Sequence, residues 1–202
     1  MITLYHSPVS RATRVLALVH ALGALDKVEL KPVTIPRMDG SGDRDPSNPH
    51  PDGKVPLLVE DGVAAWESGA IMLRLTELFP DAGLGVESGP RRGRFLGWMH
   101  WYGSVFEPAY LNMVDGTGAP GTAMHAAIRG VPEAVERLRV ALSDGPWLMG
   151  EQMTAADFLV ASTYIWFPDA TPDFAKDWVA RVTDHPSYRW AVARDEELMA
   201  PA

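Results

Sequence analysis

Gly53-Lys54-Val55-Pro56-Leu57-Leu58-Val59-Glu60-Asp61-Gly62-Val63-Ala64-Ala65-Trp66-Glu67-Ser68-Gly69-Ala70-Ile71 is the stretch on which the fold turns. Two short apolar runs, Pro56 to Val59 and Val63 to Trp66, flank Glu60-Asp61-Gly62. An Asp-Gly pair between such runs is the strongest short-range hairpin signal. A helix follows at once: Ile71, Met72, Leu75 and Leu78-Phe79 recur at helical spacing, Ser68 is a plausible N-cap, and Pro80 stops the run.

Upstream, Ile2 to Tyr5 is a short β-prone run, and residues 11–22 place Val15, Leu18, Val19 and Leu22 at helical spacing before Gly23. Glu29 to Val33 offers a second strand. From Pro36 to Gly53 the chain is dominated by Pro, Gly, Asp, Ser and Asn, the composition of a long surface loop. The order is β-α-β, loop, β-β-α, which predicts an α/β domain over residues 1–80.

Downstream, residues 81–89 turn to Gly, Asp, Glu and Ser and read as a linker, and beyond them no strand signal recurs. Phe95, Met99, Tyr102, Val105 and Phe106 predict one amphipathic helix; Val131, Val135, Leu138 and Leu142 predict another, with a Gly- and Thr-rich stretch at 115–122 between them. The clearest helix start is Met153-Thr154-Ala155-Ala156-Asp157-Phe158, where Thr154 and Asp157 form a capping box with Asp in place of the commoner Glu. Further helices are expected over 173–183 and 187–198, each preceded by a proline. Residues 90–202 thus predict an all-helical domain.

Composition narrows the chemistry. Of 202 residues 47% are hydrophobic and 22% charged, enough to build a core and to exclude disorder over most of the chain. No cysteine is present, which removes disulfides, Cys-ligated zinc, iron–sulfur clusters and any protein thiol; thiol chemistry must come from a ligand. A formal charge of −8, from 26 acidic against 18 basic residues, gives no electrostatic footprint for nucleic acid. Apolar runs fall short of the roughly 20 residues a membrane span needs, and Met1-Ile2-Thr3-Leu4 lacks a basic leader, so a cytoplasmic protein without membrane contact is expected. The six histidines show no metal-ligand spacing, no Gly-x-Ser-x-Gly elbow occurs, and Gly40-Ser41-Gly42 lacks the Lys of a phosphate loop.

Three segments of the first domain carry a coherent signal. Ser10, Pro56 and Glu67-Ser68 fall at the ends of core strands and at two helix N-termini, where backbone N–H groups and the helix dipole favour an anionic ligand. Each also has a purely structural reading: Ser10 as a cap, Pro56 as a strand opener, Glu67-Ser68 as a polar turn.

These segments carry a family resemblance. His6-Ser7-Pro8-Val9-Ser10-Arg11-Ala12-Thr13-Arg14-Val15-Leu16, Gly53 to Leu58, Glu67 to Ile71 and Met153 to Phe158 stand in the order and spacing of the cytosolic glutathione transferases. The chain resembles their serine-type members, phi- and theta-like and bacterial, over essentially its whole length. The resemblance implies a thioredoxin-like N-terminal domain and an all-helical C-terminal domain. It implies glutathione as co-substrate, no metal, and activation of the glutathione thiol as thiolate for attack on a small hydrophobic electrophile. The family also holds isomerases, peroxidases, dehalogenases and non-catalytic binding proteins, which stand as alternatives.

Residue by residue, a phi-type alignment gives the thiolate donor as Ser10, a theta-type alignment gives Ser7, and Tyr5 is third. Pro56 should follow a cis peptide that turns the Val55 backbone toward the cysteinyl part of glutathione. Glu67 would take the α-amino group, Ser68 the neighbouring carboxylate, and Lys54, with His50 or Arg11, the glycyl carboxylate. Val9, the loop 36–44 and the helix bearing His100, Tyr102, Phe106 and Tyr110 would form an electrophile site between the domains; interior packing is the other reading of those aromatic rings. A homodimer is expected, with helices 68–79 and 90–106 at its interface.

Overall fold

In the computed structural model, which describes residues 1–200, strand β1 (Ile2–His6) lies inside a four-stranded sheet. On one side it pairs in parallel with β2 (Val28–Pro32), Leu4 opposite Leu30; helix α1 (Ala12–Ala21) supplies the crossover that a parallel pair requires. The helix ends at Gly23, whose φ of +66° lets its N–H reach the His20 carbonyl (3.0 Å) and the Ala24 N–H reach that of Val19 (3.0 Å). On its other side β1 pairs antiparallel with β3 (Leu57–Glu60), which pairs antiparallel with β4 (Val63–Ala65). Asp61 and Gly62 both take positive φ, 48° and 85°, as the predicted hairpin turn demands. Between β2 and β3 the chain from residue 33 to 56 holds no helix or strand, in accord with the long loop read from its composition.

Helix α2 (Ser68–Leu78) follows the hairpin, and its start differs from the expectation. Ser68 is the first helical residue rather than the cap. The cap position belongs to Glu67, at φ 68° and ψ 123°, and its side chain makes no capping bond. The Ser68 hydroxyl instead accepts a hydrogen bond from the Arg14 guanidinium at 3.1 Å.

From residue 83 to 182 the chain forms a second, all-helical unit. Its first helix, α3 (Pro90–Trp101), widens into a π-helical turn at Tyr102–Phe106 and continues as α4 (Glu107–Asp115), so the single predicted helix is both longer and irregular. A short α5 (Ala123–Ile128), unforeseen from the sequence, is capped by Thr122, whose hydroxyl oxygen accepts the His125 N–H at 3.2 Å. Then come α6 (Val131–Ser143), α7 (Ala155–Ala161), α8 (Thr163–Trp166) and α9 (Lys176–Thr183), the last entered through a 3-10 turn at Asp173–Ala175.

The last helix, α10 (Pro186–Met199), changes the expected division of the chain. Its main packing partner is α1, so the segment beginning at Thr183 groups with Met1–Ala82, whereas the sequence reading placed all of 90–202 in the helical domain. Among the described residues no helix is long and apolar enough to cross a membrane.

Every residue of α7 is buried, a polar one included. Asp157 survives there because four donors converge on it. Its Oδ2 accepts the Thr154 N–H (2.8 Å) and hydroxyl (3.3 Å), and its Oδ1 the Leu148 N–H (2.9 Å) and the Trp178 indole N–H (3.0 Å). Burial pushes this carboxyl above its ordinary value, and the four donors pull in the opposite direction. Asp157→Ala would leave three buried N–H groups without an acceptor, at about 1–3 kcal/mol each. The expected outcome in urea unfolding is a loss of at least about 3 kcal/mol, with Asp157→Asn less damaging.

Candidate functional site

The turn from β1 into α1 is built by side chains that arrive from elsewhere in the sequence. Val9 sits at φ 49°, a conformation that strains a β-branched residue by about 1–3 kcal/mol. Asp195 of α10 holds it there. The buried carboxylate accepts the Val9 N–H (2.8 Å) and the Thr13 hydroxyl (2.6 Å) on Oδ2, and meets His6 Nε2 at 2.7 Å on Oδ1. Burial pushes the Asp195 carboxyl up, but the bonds from His6, Thr13 and Val9 prevail and hold it below the ordinary carboxylate value. On the opposite side of the loop, Arg37 donates to the carbonyls of Pro8 (2.7 Å) and Val9 (3.2 Å) and to Ser7 Oγ (3.3 Å).

Within this clamp the two serines differ. Ser10 Oγ donates its hydrogen to the Ser7 carbonyl at 2.6 Å and accepts the Ala12 N–H at 3.1 Å, so its one hydrogen is committed to shaping the turn. Ser7 Oγ accepts from Arg37, and among the described residues its own hydrogen has no acceptor. Tyr5 is engaged in packing: its ring lies against Ala12, Val33 and Val55, with the Lys31 ammonium 5.2 Å from its centroid.

The same contact brings Val55 to the first residue of α1. The Val55–Pro56 peptide is cis, as the resemblance implied. The loop ahead of it is pinned by His50, which is buried: its N–H donates to Asn48 Oδ1 (3.1 Å), its Nδ1 accepts the Asp52 N–H (3.0 Å), and its carbonyl accepts the Gly53 N–H (2.9 Å). Asn48 Nδ2 in turn donates to the Lys54 carbonyl at 3.1 Å, while the Lys54 side chain is exposed.

Glu67 is exposed on strained backbone beside the buried Ser68. Next to them lies a residue that the sequence reading did not single out. Arg14 is 2% exposed, on a helix whose first eight residues are all buried, and it brings a cation to the N-terminus of α2. A charge on the apolar face of an amphipathic helix was the available signal, since a buried cation demands partners. Around the start of α1 the fold therefore collects an open hydroxyl, a cis-proline corner, an exposed carboxylate and a helix N-terminus backed by arginine.

The proposed electrophile residues divide by exposure. Val9 and His100 are exposed. Phe106 and Tyr110 are fully buried in the second unit, their ring centroids 5.1 Å apart; the Tyr110 hydroxyl donates to Tyr164 (3.1 Å) and its ring stacks on Phe167. Tyr102 is also buried and donates to Glu107 at 2.8 Å. These three rings fill the interior of a helical unit.

Comparison with known proteins agrees in both halves. Residues 4–84 match the family described as "Glutathione S-transferase, N-terminal domain" and residues 121–189 that described as "Glutathione S-transferase, C-terminal domain". The chain is 28% identical over 179 residues to glutathione S-transferase D7 of Drosophila melanogaster, covering 81% of this chain and 75% of that one. Its fold is similar to a glutathione S-transferase from Actinobacillus pleuropneumoniae, with a TM-score of 0.80, 23% identity and coverage of 97% of this chain and 93% of the other. It is also similar to a sphingomonad glutathione S-transferase solved with glutathione, with a TM-score of 0.73, 23% identity and coverage of 98% and 100%. With both domain types matched in sequence order, and the thioredoxin-like sheet and the helical unit both formed, the chain belongs to the glutathione S-transferase family.

Proposed function

We propose that the protein conjugates glutathione to a small hydrophobic electrophile, with Ser7 as the donor that stabilises the thiolate. The carrying observation is the Ser7 hydroxyl, which has its oxygen fixed by Arg37 and its hydrogen available, whereas Ser10 has given its hydrogen to the Ser7 carbonyl. A free thiol has a pKa near 8.5 and is mostly protonated at neutral pH, so the protein must favour the anion. One hydrogen bond to a charged group is worth about 1.5–3 kcal/mol, and about 1.4 kcal/mol lowers a pKa by one unit. Arg37, donating to Ser7 Oγ, polarises that hydroxyl further. The thiol proton leaves to solvent, and the thiolate then forms the new carbon–sulfur bond at the electrophile, which either takes up the electron pair and a proton or releases its leaving group with the pair.

The remaining residues hold the parts of glutathione that do not react. Glu67 accepts from the α-ammonium; Ser68, the α2 N-terminus and Arg14 receive the adjacent carboxylate. The Val55 backbone faces the cysteinyl unit, and Lys54 meets the glycyl carboxylate. Val9, exposed two residues from Ser7, offers an apolar contact to the electrophile. The bound glutathione of the sphingomonad structure supports this ligand.

Ser7→Ala should raise the pKa of bound glutathione by about one unit or more and lower conjugation at neutral pH roughly tenfold, with partial recovery at higher pH. Thiolate absorbance titrated against pH reads this directly; an unmoved curve would assign the stabilisation elsewhere, and a curve moved by Ser10→Ala instead would return it to Ser10. Glu67→Ala should weaken glutathione binding by about 1–3 kcal/mol in calorimetry, with little change in the thiol titration. Binding without any lowered thiol pKa in the wild type would favour a carrier over an enzyme. We also propose a two-fold homodimer, the commonest oligomer, supported by the exposure of Val63 on the outer strand β4 and of Trp66 just after it. Sedimentation velocity at micromolar concentration should give twice the mass of the chain.

A further inference from the structure

We propose that Asp195, on the last helix, is a positioning residue for the thiolate site: it sets the orientation of the Ser7 hydroxyl, so that thiol activation depends on the docking of α10. The inference rests on reading Ser7 as the thiolate donor and goes beyond it, because Asp195 lies 188 positions away in the chain.

Three of its bonds bracket Ser7. His6 is the residue before it, Val9 is two residues after it, and Thr13 stands in the first turn of α1. Thr13 extends the clamp, since its Oγ1 accepts the Ser10 N–H at 3.4 Å, and Ser10 holds the Ser7 carbonyl. Both neighbours of the Ser7–Pro8 dipeptide are therefore tied to one carboxylate. Arg37 donates to the Pro8 carbonyl and the Ser7 hydroxyl oxygen, so the flanking residues are held by Asp195 and the dipeptide's own oxygens by Arg37.

An acid is costly to bury here, and meeting the Val9 N–H, the Thr13 hydroxyl and His6 Nε2 is what offsets that cost. Packing between α10 and α1 would by itself be served by an apolar side chain, which carries no desolvation penalty. What only an acceptor at this place can do is hold Val9 at a positive φ that its side chain resists. If Val9 relaxed toward negative φ, the Ser7–Ser10 turn would rotate with it, and the hydroxyl would lose its aim. A displacement of about 1 Å at a reacting group is enough to cost on the order of a hundredfold in rate.

The test is a double-mutant cycle on the thiolate titration of bound glutathione in the full-length protein, with kcat and KM measured alongside. Asp195→Asn should raise the bound thiol pKa by about half a unit or more and lower kcat about tenfold, while KM for glutathione changes less than about threefold. In the Ser7→Ala background the same substitution should add nothing further, because its effect passes through Ser7. Glu197→Gln, exposed on the same helix, should leave the titration where it was. Thr13→Val removes one of the three bonds to Asp195, together with the long Ser10 N–H contact, and provides a milder variant if Asp195→Asn folds poorly; it should shift the curve in the same direction by less. An unshifted thiol curve in folded Asp195→Asn, or an undiminished shift in the Ser7→Ala background, would overturn the proposal. A wild-type titration that Ser7→Ala does not move overturns the donor reading itself, and this inference with it.

Discussion

One carboxylate organises the turn from β1 into α1. Asp195 collects the end of β1, the strained turn after it and the first turn of α1, and joins all three to the last helix. Without such an acceptor the Val9 N–H and the Thr13 hydroxyl would lie at the edge of an apolar interior with nothing to bond, and the turn would have no reason to keep Val9 at positive φ. The consequence is topological. The first unit is completed by a helix that follows the helical unit in the chain, so the turn after β1 gains its acceptor only from the C-terminal segment.

The second buried aspartate answers a different demand with the same chemistry. Asp157 is surrounded only by donors, two backbone N–H groups, an indole N–H and a threonine hydroxyl, and it locks the start of the helix at the centre of the second unit. Its partner set is local except for Leu148 and Trp178, and nothing reactive lies among those groups. Asp195 has a titratable partner, a strained residue and the turn of a candidate site. A buried acid alone therefore distinguishes neither role; the elements whose geometry it fixes do.

The legible parts of the fold were those set by local chemistry. Asp61-Gly62 supplied the hairpin because only a few residue types accept two successive positive φ angles, and Gly23 marked the end of α1 for the same reason. The cis-proline corner and the Glu67-Ser68 segment were visible by their likeness to a family pattern. What escaped was decided by tertiary contact. Residues 187–198 read correctly as a helix, yet periodicity does not say which unit a helix packs against, and α10 joined the first. Ser68 looked like a cap because its residue type favours one, but Arg14 took its hydroxyl. Tyr102, Phe106 and Tyr110 share an aromatic character that suits a ligand site and a core equally; burial alone separates the two.

The choice between two serines three positions apart is a matter of counting hydrogens. A hydroxyl can accept twice but donate once, and a thiolate needs a donor. Alignment treats Ser7 and Ser10 as competitors for one role, whereas the turn gives them complementary ones. Ser10 uses its single hydrogen to fix the Ser7 carbonyl, and this bond, together with the Ala12 N–H on its oxygen, makes it part of the helix start. Ser7 receives its hydrogen bond from Arg37, a cation that has no lone pair to offer in return, so the Ser7 hydrogen must point elsewhere. An arginine on the long loop therefore does what a neutral donor could do less well: it holds the oxygen in place with a charged donor, and on the proposed reading its positive charge lies near the thiolate. The 36–44 loop, which composition alone marked as a surface connection, thus holds the same turn as the last helix, and Ser7 lies between the residues that the two bind.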